Sequence, residues 1–237
     1  MTRFEELDWQ STPMGEISLR RRFEPVAQVD VYEVKLDDEF LMSSLFPVAE
    51  IELARLGMER ATGKDLSVLV GGLGLGYTAF EALASDKTGE LVVCEYSEAV
   101  ISWHEQDLLP DTHGLAADPR TRLIQGDFFA AAAGRSAFDP EAPNRQFDVV
   151  LLDIDHSPRF LLNSAHASFY NQEGLEEMSD HISDGGVFAL WSDDPPDEDF
   201  MAVLEEVFVD VEAHRIWFDN PLTGGKASNT VYLGSMP

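Results

Sequence analysis

Val68-Leu69-Val70-Gly71-Gly72-Leu73-Gly74-Leu75-Gly76-Tyr77-Thr78 sets four glycines in six residues between an apolar strand and a helical stretch. Glycine at a strand-to-helix junction lets the backbone turn tightly and approach a ligand closely. Structural turns also collect glycine, but four at this junction read as a nucleotide or nucleoside cradle. Gly71, Gly72, Gly74 and Gly76 are therefore candidate cofactor-binding positions.

Outward from this loop the pattern alternates. Strands are read at 66–70, 91–94, 122–125, 147–152 and 186–191, with helices near 78–85, 98–107, 175–182 and 200–208. The 147–152 run is almost wholly apolar, as a parallel strand covered on both faces requires. The last two strands, 209–218 and 230–233, leave no room for a crossover helix and must pair antiparallel. The fold class is thus α/β, a doubly wound, mostly parallel, seven-stranded Rossmann-like sheet with an antiparallel C-terminal pair. Residues 130–134 and 138–144 read as a surface excursion before the fourth strand.

Toward the N-terminus, Ile17, Leu19, Val29, Val31 and Val34 lie in short, partly alternating runs that read as two or three strands. A helix follows from Pro47, with Ala49, Leu53 and Leu56 on one face and Gly57 as its stop. Two units are expected: a β-rich extension over 1–45 and the α/β domain over 46–237.

Three strand ends carry acids. Cys94-Glu95-Tyr96 places Glu95 about 20 residues past the glycines, where a carboxylate accepts from ribose hydroxyls, with Tyr96 beside it. Gln125-Gly126-Asp127 offers an acid suited to an adenine amino group, and the fourth strand ends in Asp153-Ile154-Asp155-His156. Nicotinamide dinucleotides and S-adenosylmethionine-type ligands both fit the first features, and Gly74-x-Gly76-x-x-Ala79 satisfies a relaxed dinucleotide fingerprint. Asp127, the acid-ended fourth strand and the helix-free final strand pair favour the adenosylmethionine type.

Composition bounds the partners. The 237 residues are 44% hydrophobic and 10% aromatic, which is globular. Sixteen basic against 44 acidic residues give a net charge of −28, with only four lysines. Nucleic acid is excluded as a partner, because phosphate neutralisation needs a clustered basic face and Arg20-Arg21-Arg22 is too short. The acidity fits either a solvated, saline-adapted surface or attraction of a cationic substrate. The lone Cys94 sits in an apolar run and reads as packing, not as a disulfide or zinc ligand. Met1 to Glu6 carries no apolar leader and no run approaches 18 apolar residues, so a cytoplasmic protein without a membrane partner is expected. His104, His113, His166, His181 and His214 show no metal spacing, and the acids from Asp193 to Asp199 read as a solvated rim, so no metal is expected. Asp194-Pro195-Pro196-Asp197 follows the fifth strand and reads as a polar loop, while Trp103 and Trp191 read as core or pocket walls.

Gly71 to Gly76, the Val93-Cys94-Glu95-Tyr96-Ser97-Glu98-Ala99-Val100-Ile101 stretch, Asp118-Pro119-Arg120-x-Arg122-Leu123-x-x-Gly126-Asp127 and Phe147-Asp148-Val149-Val150-Leu151-Leu152-Asp153 together resemble spermidine synthase and related polyamine aminopropyltransferases. The likeness continues through Phe169-Tyr170 and the Gly185-Gly186-Val187-Phe188 turn, covering about 64–192, with a fainter echo near 12–22. It implies a class I methyltransferase fold behind a small β-domain. It also implies transfer of an aminopropyl group from decarboxylated S-adenosylmethionine to a diamine such as putrescine, with a homodimer possible. On that resemblance Glu95 would hold the ribose, Asp127 the adenine, and Asp153 the attacking amine. The family's glycine loop carries an amine-binding Asp where this chain has Gly74. Its Asp-Ser-Ser-Asp-Pro loop reads Asp153-Ile154-Asp155-His156-Ser157-Pro158 here.

Such a transfer is a displacement in which alignment and a neutral amine nitrogen matter most. A free amine titrates near 10, so a neighbouring base is useful, and Asp153, Asp155 and His156 are the catalytic candidates. S-adenosylmethionine-dependent methyl transfer to a small molecule, or nucleoside binding without catalysis, are the alternatives on the same scaffold.

Overall fold

Five strands separated by helices pair into one parallel array, the central ones buried on both faces and the edge strand, Thr121–Gln125, partly covered. In the computed structural model, which describes residues 4–12 and 15–237, they are β5 (Leu66–Gly71), β6 (Thr88–Glu95), β7 (Thr121–Gln125), β8 (Phe147–Leu152) and β9 (Ile182–Ser192). The hairpin β10 (Val209–Asn220) and β11 (Gly225–Ser235) completes the sheet in the order β10-β11-β9-β8-β5-β6-β7. β11 runs antiparallel to both β9 and β10, as the missing crossover helix required.

Alternate side chains of these strands feed two cores. Val68, Val70, Leu91, Val93, Val149 and Leu151 face one side, where α1 (Val48–Arg60), α2 (Tyr77–Ala84) and α3 (Glu98–Glu105) pack. Leu69, Val92, Cys94, Val150 and Leu152 face the other, under α4 (Phe128–Ala132), α5 (Gln172–Ser179) and α6 (Glu198–Glu205). Burial pushes the Cys94 thiol up to about 12, in keeping with a packing role. From β5 the chain builds β6 and β7 on one side and β8 and β9 on the other. That topological switch opens a crevice beyond the strands' C-terminal ends.

The N-terminal residues form an antiparallel sheet of four strands rather than two or three: β1 (Phe4–Thr12), β2 (Gly15–Glu24), β3 (Val29–Leu36) and β4 (Glu39–Ser43). β1 and β4 are the edges, and exposed Phe4, Trp9 and Phe40 blur their alternation. Ile17, Leu19 and Val34 join the core on the α1 side. Residues 1–3 of the leader reading and 13–14 of the family echo lie outside the described residues.

Two further expectations change. Gly57 does not stop α1, which runs on to Arg60. A Cβ at Gly57 would lie 2.6 Å from Leu151 Cδ2, so glycine there lets the helix lie close on β8. The supposed excursion is anchored: 128–132 is the helix α4, with Ala131 and Ala132 buried. Phe138 is buried, and Asp139, 1% exposed, pairs with Arg122 and Arg145.

Candidate functional site

The glycine loop closes the C-terminal end of β5, and its neighbours are fixed by backbone hydrogen bonds. Gly72 N–H donates to the Cys94 carbonyl at 3.0 Å, and Asp153 N–H donates to the Gly71 carbonyl at 2.8 Å. Gly72 has φ +88°, and a Cβ there would stand 2.1 Å from the Asp153 carbonyl oxygen. Only glycine fits that seam. Gly76, at φ +87°, caps α2 over His104, whose Cε1 a Cβ would meet at 2.5 Å. His104 is buried, its Nε2–H donates to the Gly74 carbonyl at 2.9 Å, and burial lowers its pKa. Sequence spacing passed over His104 as a non-ligand; it braces the loop from below.

Glu95 ends β6 with both oxygens engaged. Oε2 accepts from Leu73 N–H at 2.8 Å and Oε1 from Ser97 N–H at 2.7 Å. Burial raises its pKa, while those backbone donors act in the opposite direction. Each oxygen keeps a lone pair for a diol. Beyond it, a cavity of about 430 Å³ is lined by Gln10 and Thr12 of β1, by Tyr96 and Ser97, and by Gly126 and Asp127. Tyr96 is 52% exposed at its mouth. Asp127 caps α4, accepting from Ala130 N–H through Oδ1 at 3.0 Å. Glu95, Tyr96, Gly126 and Asp127 are thus brought together as their positions at strand ends imply.

Asp153 leaves β8 on the other side of the glycine loop. Its Oδ2 accepts from the Thr78 hydroxyl at 2.7 Å, and that hydroxyl also approaches the Glu50 carbonyl at 3.2 Å. Burial lifts Asp153 to about 6 against the Thr78 hydrogen bond. Glu50, in the first turn of α1, is lifted to about 8, by burial first and then by the charge of Asp153. Neither Thr78 nor Glu50 was singled out from the sequence. A signal existed for Glu50: it lies on the stripe of α1 that buries Leu53, Ala54 and Gly57, where an acid is out of place.

The other two catalytic candidates sit elsewhere. Asp155 is 3% exposed and turned into its own loop. It accepts from Leu162 N–H at 2.7 Å, from His166 Nδ1 at 2.9 Å and from the Tyr170 hydroxyl at 2.9 Å. The His156 ring tilts against Phe160 at 5.1 Å, and its carbonyl accepts from Asp193 N–H. Neither hydrogen-bonds Asp153 among the described residues. At Gly74 a Cβ would meet Met42 Sδ at 2.7 Å, so a methionine from β4 covers the loop where the resembled family has its Asp.

Solved structures share this fold. A spermidine synthase from Thermotoga maritima superposes with a TM-score of 0.71 at 17% identity, over 98% of this chain and 72% of that one. The fold is that of spermidine synthase. A spermidine synthase in complex with the transition state analogue AdoDATO gives a TM-score of 0.72 at 18% identity, with the same coverage of 98% and 72%. No family model and no curated protein matches the sequence. The shared fold thus extends over both sheets of this chain. No described helix is long and apolar enough to cross a membrane.

Proposed function

We propose that this chain is a transferase that moves an aminopropyl group from decarboxylated S-adenosylmethionine to a primary amine such as putrescine. The observation that carries the reading is Asp153, a partly buried carboxylate beside the glycine loop that, among the described residues, is engaged only through Oδ2, by Thr78. A spermidine synthase of the same fold, solved with AdoDATO, supports the donor class.

In this reading the glycine loop from Gly71 to Gly76 carries the nucleoside, Glu95 takes the ribose hydroxyls, and Asp127 with Gly126 and Tyr96 takes the adenine. Asp153 Oδ1 accepts a proton from the attacking ammonium. The neutral nitrogen then bonds to the carbon beside the sulfonium, and the carbon–sulfur pair leaves on sulfur as methylthioadenosine. Asp155 holds the 155–170 loop through His166 and Tyr170, and His156 lies at the rim. The soluble small-molecule chemistry fits a cytoplasmic enzyme, and the division at 45/46 separates a cover from the transfer domain.

One observation favours a second reading. Met42 over Gly74 leaves an apolar thioether, not an acid, against the glycine loop. That surface also suits S-adenosylmethionine and methyl transfer.

The test is turnover with each donor and putrescine, read by mass spectrometry of the product. Aminopropyl transfer is expected from the decarboxylated donor, with kcat rising with pH as Asp153 ionises through about 6. Asp153→Asn is expected to lower kcat by about 10²–10⁴-fold, the usual contribution of a general base, while methylthioadenosine still binds. Transfer only from the carboxylated donor would replace this reading with methyl transfer. Binding of either nucleoside with no turnover would leave a binding protein.

A further inference from the structure

Glu50 is an acid in the wrong place for a core helix. It sits on the stripe that α1 packs against β8 and β9, and its Oε2 is buried with no hydrogen-bond partner among the described residues. The residue as a whole is only partly buried. A buried acceptor left unpaired costs stability in the empty protein.

The groups that face Glu50 come from three elements. They are Asp153 after β8, Asp193 after β9, and Tyr77 and Thr78 opening α2. The Tyr77 hydroxyl is already spent on Asp111 at 2.6 Å, and the Thr78 hydroxyl on Asp153 and the Glu50 carbonyl. Asp193 is held by Asn229 at 2.6 Å. No Lys or Arg bonds Glu50, Asp153 or Asp193 among the described residues, although twelve arginines and four lysines are present in the chain. Every neighbour named is neutral or negative, and once Glu50 is ionised its unpaired oxygen is an acceptor. A primary ammonium, with three donors and one positive charge, is the complement.

We propose that Glu50 receives a primary alkylammonium group of the reactants, opposite Asp153, and so selects ligands that carry one. The inference rests on the transfer reading above and deepens it. With Met42 covering Gly74, the glycine loop offers no carboxylate for this ammonium, and α1 supplies it instead. The shared chemistry has two sources, the aminopropyl end of the donor and the far end of a diamine acceptor.

Binding has a proton signature. Glu50 is lifted to about 8 in the free protein and holds its proton at neutral pH. An ammonium favours the carboxylate, so its arrival must expel that proton. Calorimetric titration at pH 7 in two buffers of different ionisation enthalpy reads this directly. The ligands are methylthioadenosine, which lacks the ammonium, decarboxylated S-adenosylmethionine, and putrescine added to the methylthioadenosine complex.

In the unsubstituted protein, release of most of one proton is expected with whichever ammonium ligand occupies Glu50, and none with methylthioadenosine. Glu50→Gln is expected to weaken that ligand about tenfold or more, abolish the release and spare methylthioadenosine. Donor and diamine arms tell the two sources apart. Unchanged affinity and proton release in E50Q would overturn the proposal, whatever the transfer assay gives. If E50Q also loses methylthioadenosine, Glu50→Asp decides: it must restore proton-linked ammonium binding, and failure to do so overturns it. Ammonium binding through Glu50 with no transfer to any amine would instead sink the transfer reading and leave this one standing.

Discussion

The two sides of the glycine loop treat their acids in opposite ways. On the β6–β7 side, Glu95 and Asp127 receive backbone N–H groups of the loop, of α3's entry and of α4. On the β8 side, Asp153 has one oxygen bonded by Thr78, and Glu50 Oε2 has no partner among the described residues. The first side is wired by the main chain and is shaped before any ligand arrives. The second keeps polar atoms unsatisfied, and its two acids, whose pKa values are raised as that of Glu95 is, lack the loop backbone donors that Glu95 has. Perturbed acids of that kind mark places where a reactant completes the bonding.

Gly72 is the seam between the sides, and substituting it tests both at once. In Gly72→Ala the new Cβ would press on the Asp153 carbonyl oxygen at 2.1 Å, from a backbone at φ +88°. Neither atom is the end of a flexible side chain, so the strain must move β8's exit or the loop. A loss of about 3 kcal/mol or more is expected from overpacking and backbone strain together, with nucleoside binding lost as well. Chemical denaturation and methylthioadenosine titration measure the two effects. Retained binding at unchanged stability would mean that the sides are not joined at Gly72.

The first side was legible in the sequence, and of the second only Asp153, at the end of a strand, was. Strands buried on both faces leave continuous apolar runs, so their ends can be counted, and Glu95, Gly126 and Asp127 follow from those ends. The glycine loop announces itself by composition. Glu50 and Thr78 lie on helices whose apolar spacing speaks of core packing, and a periodicity argument passes over the polar residue within the stripe. Gly57 was read as a helix stop because glycine disfavours helix interiors, but closeness to Leu151 overrides propensity. Asp155 could not be placed by spacing either. Its partners His166 and Tyr170 lie 11 and 15 residues downstream and meet it only when the loop folds back.

The unsatisfied side should also show in stability against pH. Asp153 and Glu50 have folded values raised to about 6 and about 8, so the native state holds protons that the unfolded chain releases at ordinary carboxylate values. Stability from these protons is complete below those ordinary values and is lost as pH rises through the folded ones. Unfolding free energy is therefore expected to fall between about pH 5 and 8 by up to a few kcal/mol more in the unsubstituted chain than in Asp153→Asn with Glu50→Gln. Subtracting the two profiles removes the general repulsion of a chain at −28. A flat difference would mean that these acids titrate normally and that the contrast between the sides is one of geometry alone.

The smallest effect sharpens the satisfied side. Asp127 both caps α4 through Ala130 N–H and lines the cavity beside Tyr96. Asparagine caps as well as aspartate, whereas alanine does not. Asp127→Ala should therefore cost about 1 kcal/mol of stability, and Asp127→Asn close to none. An adenine amino group donates, so it is read by an acceptor; Asn still offers its carbonyl oxygen but loses the charge. Methylthioadenosine affinity should thus fall several-fold in Asp127→Asn at unchanged unfolding temperature. That pattern would separate recognition from capping in one residue. If affinity instead follows stability through both variants, Asp127 only holds α4 in place, and adenine is read by the backbone around Gly126.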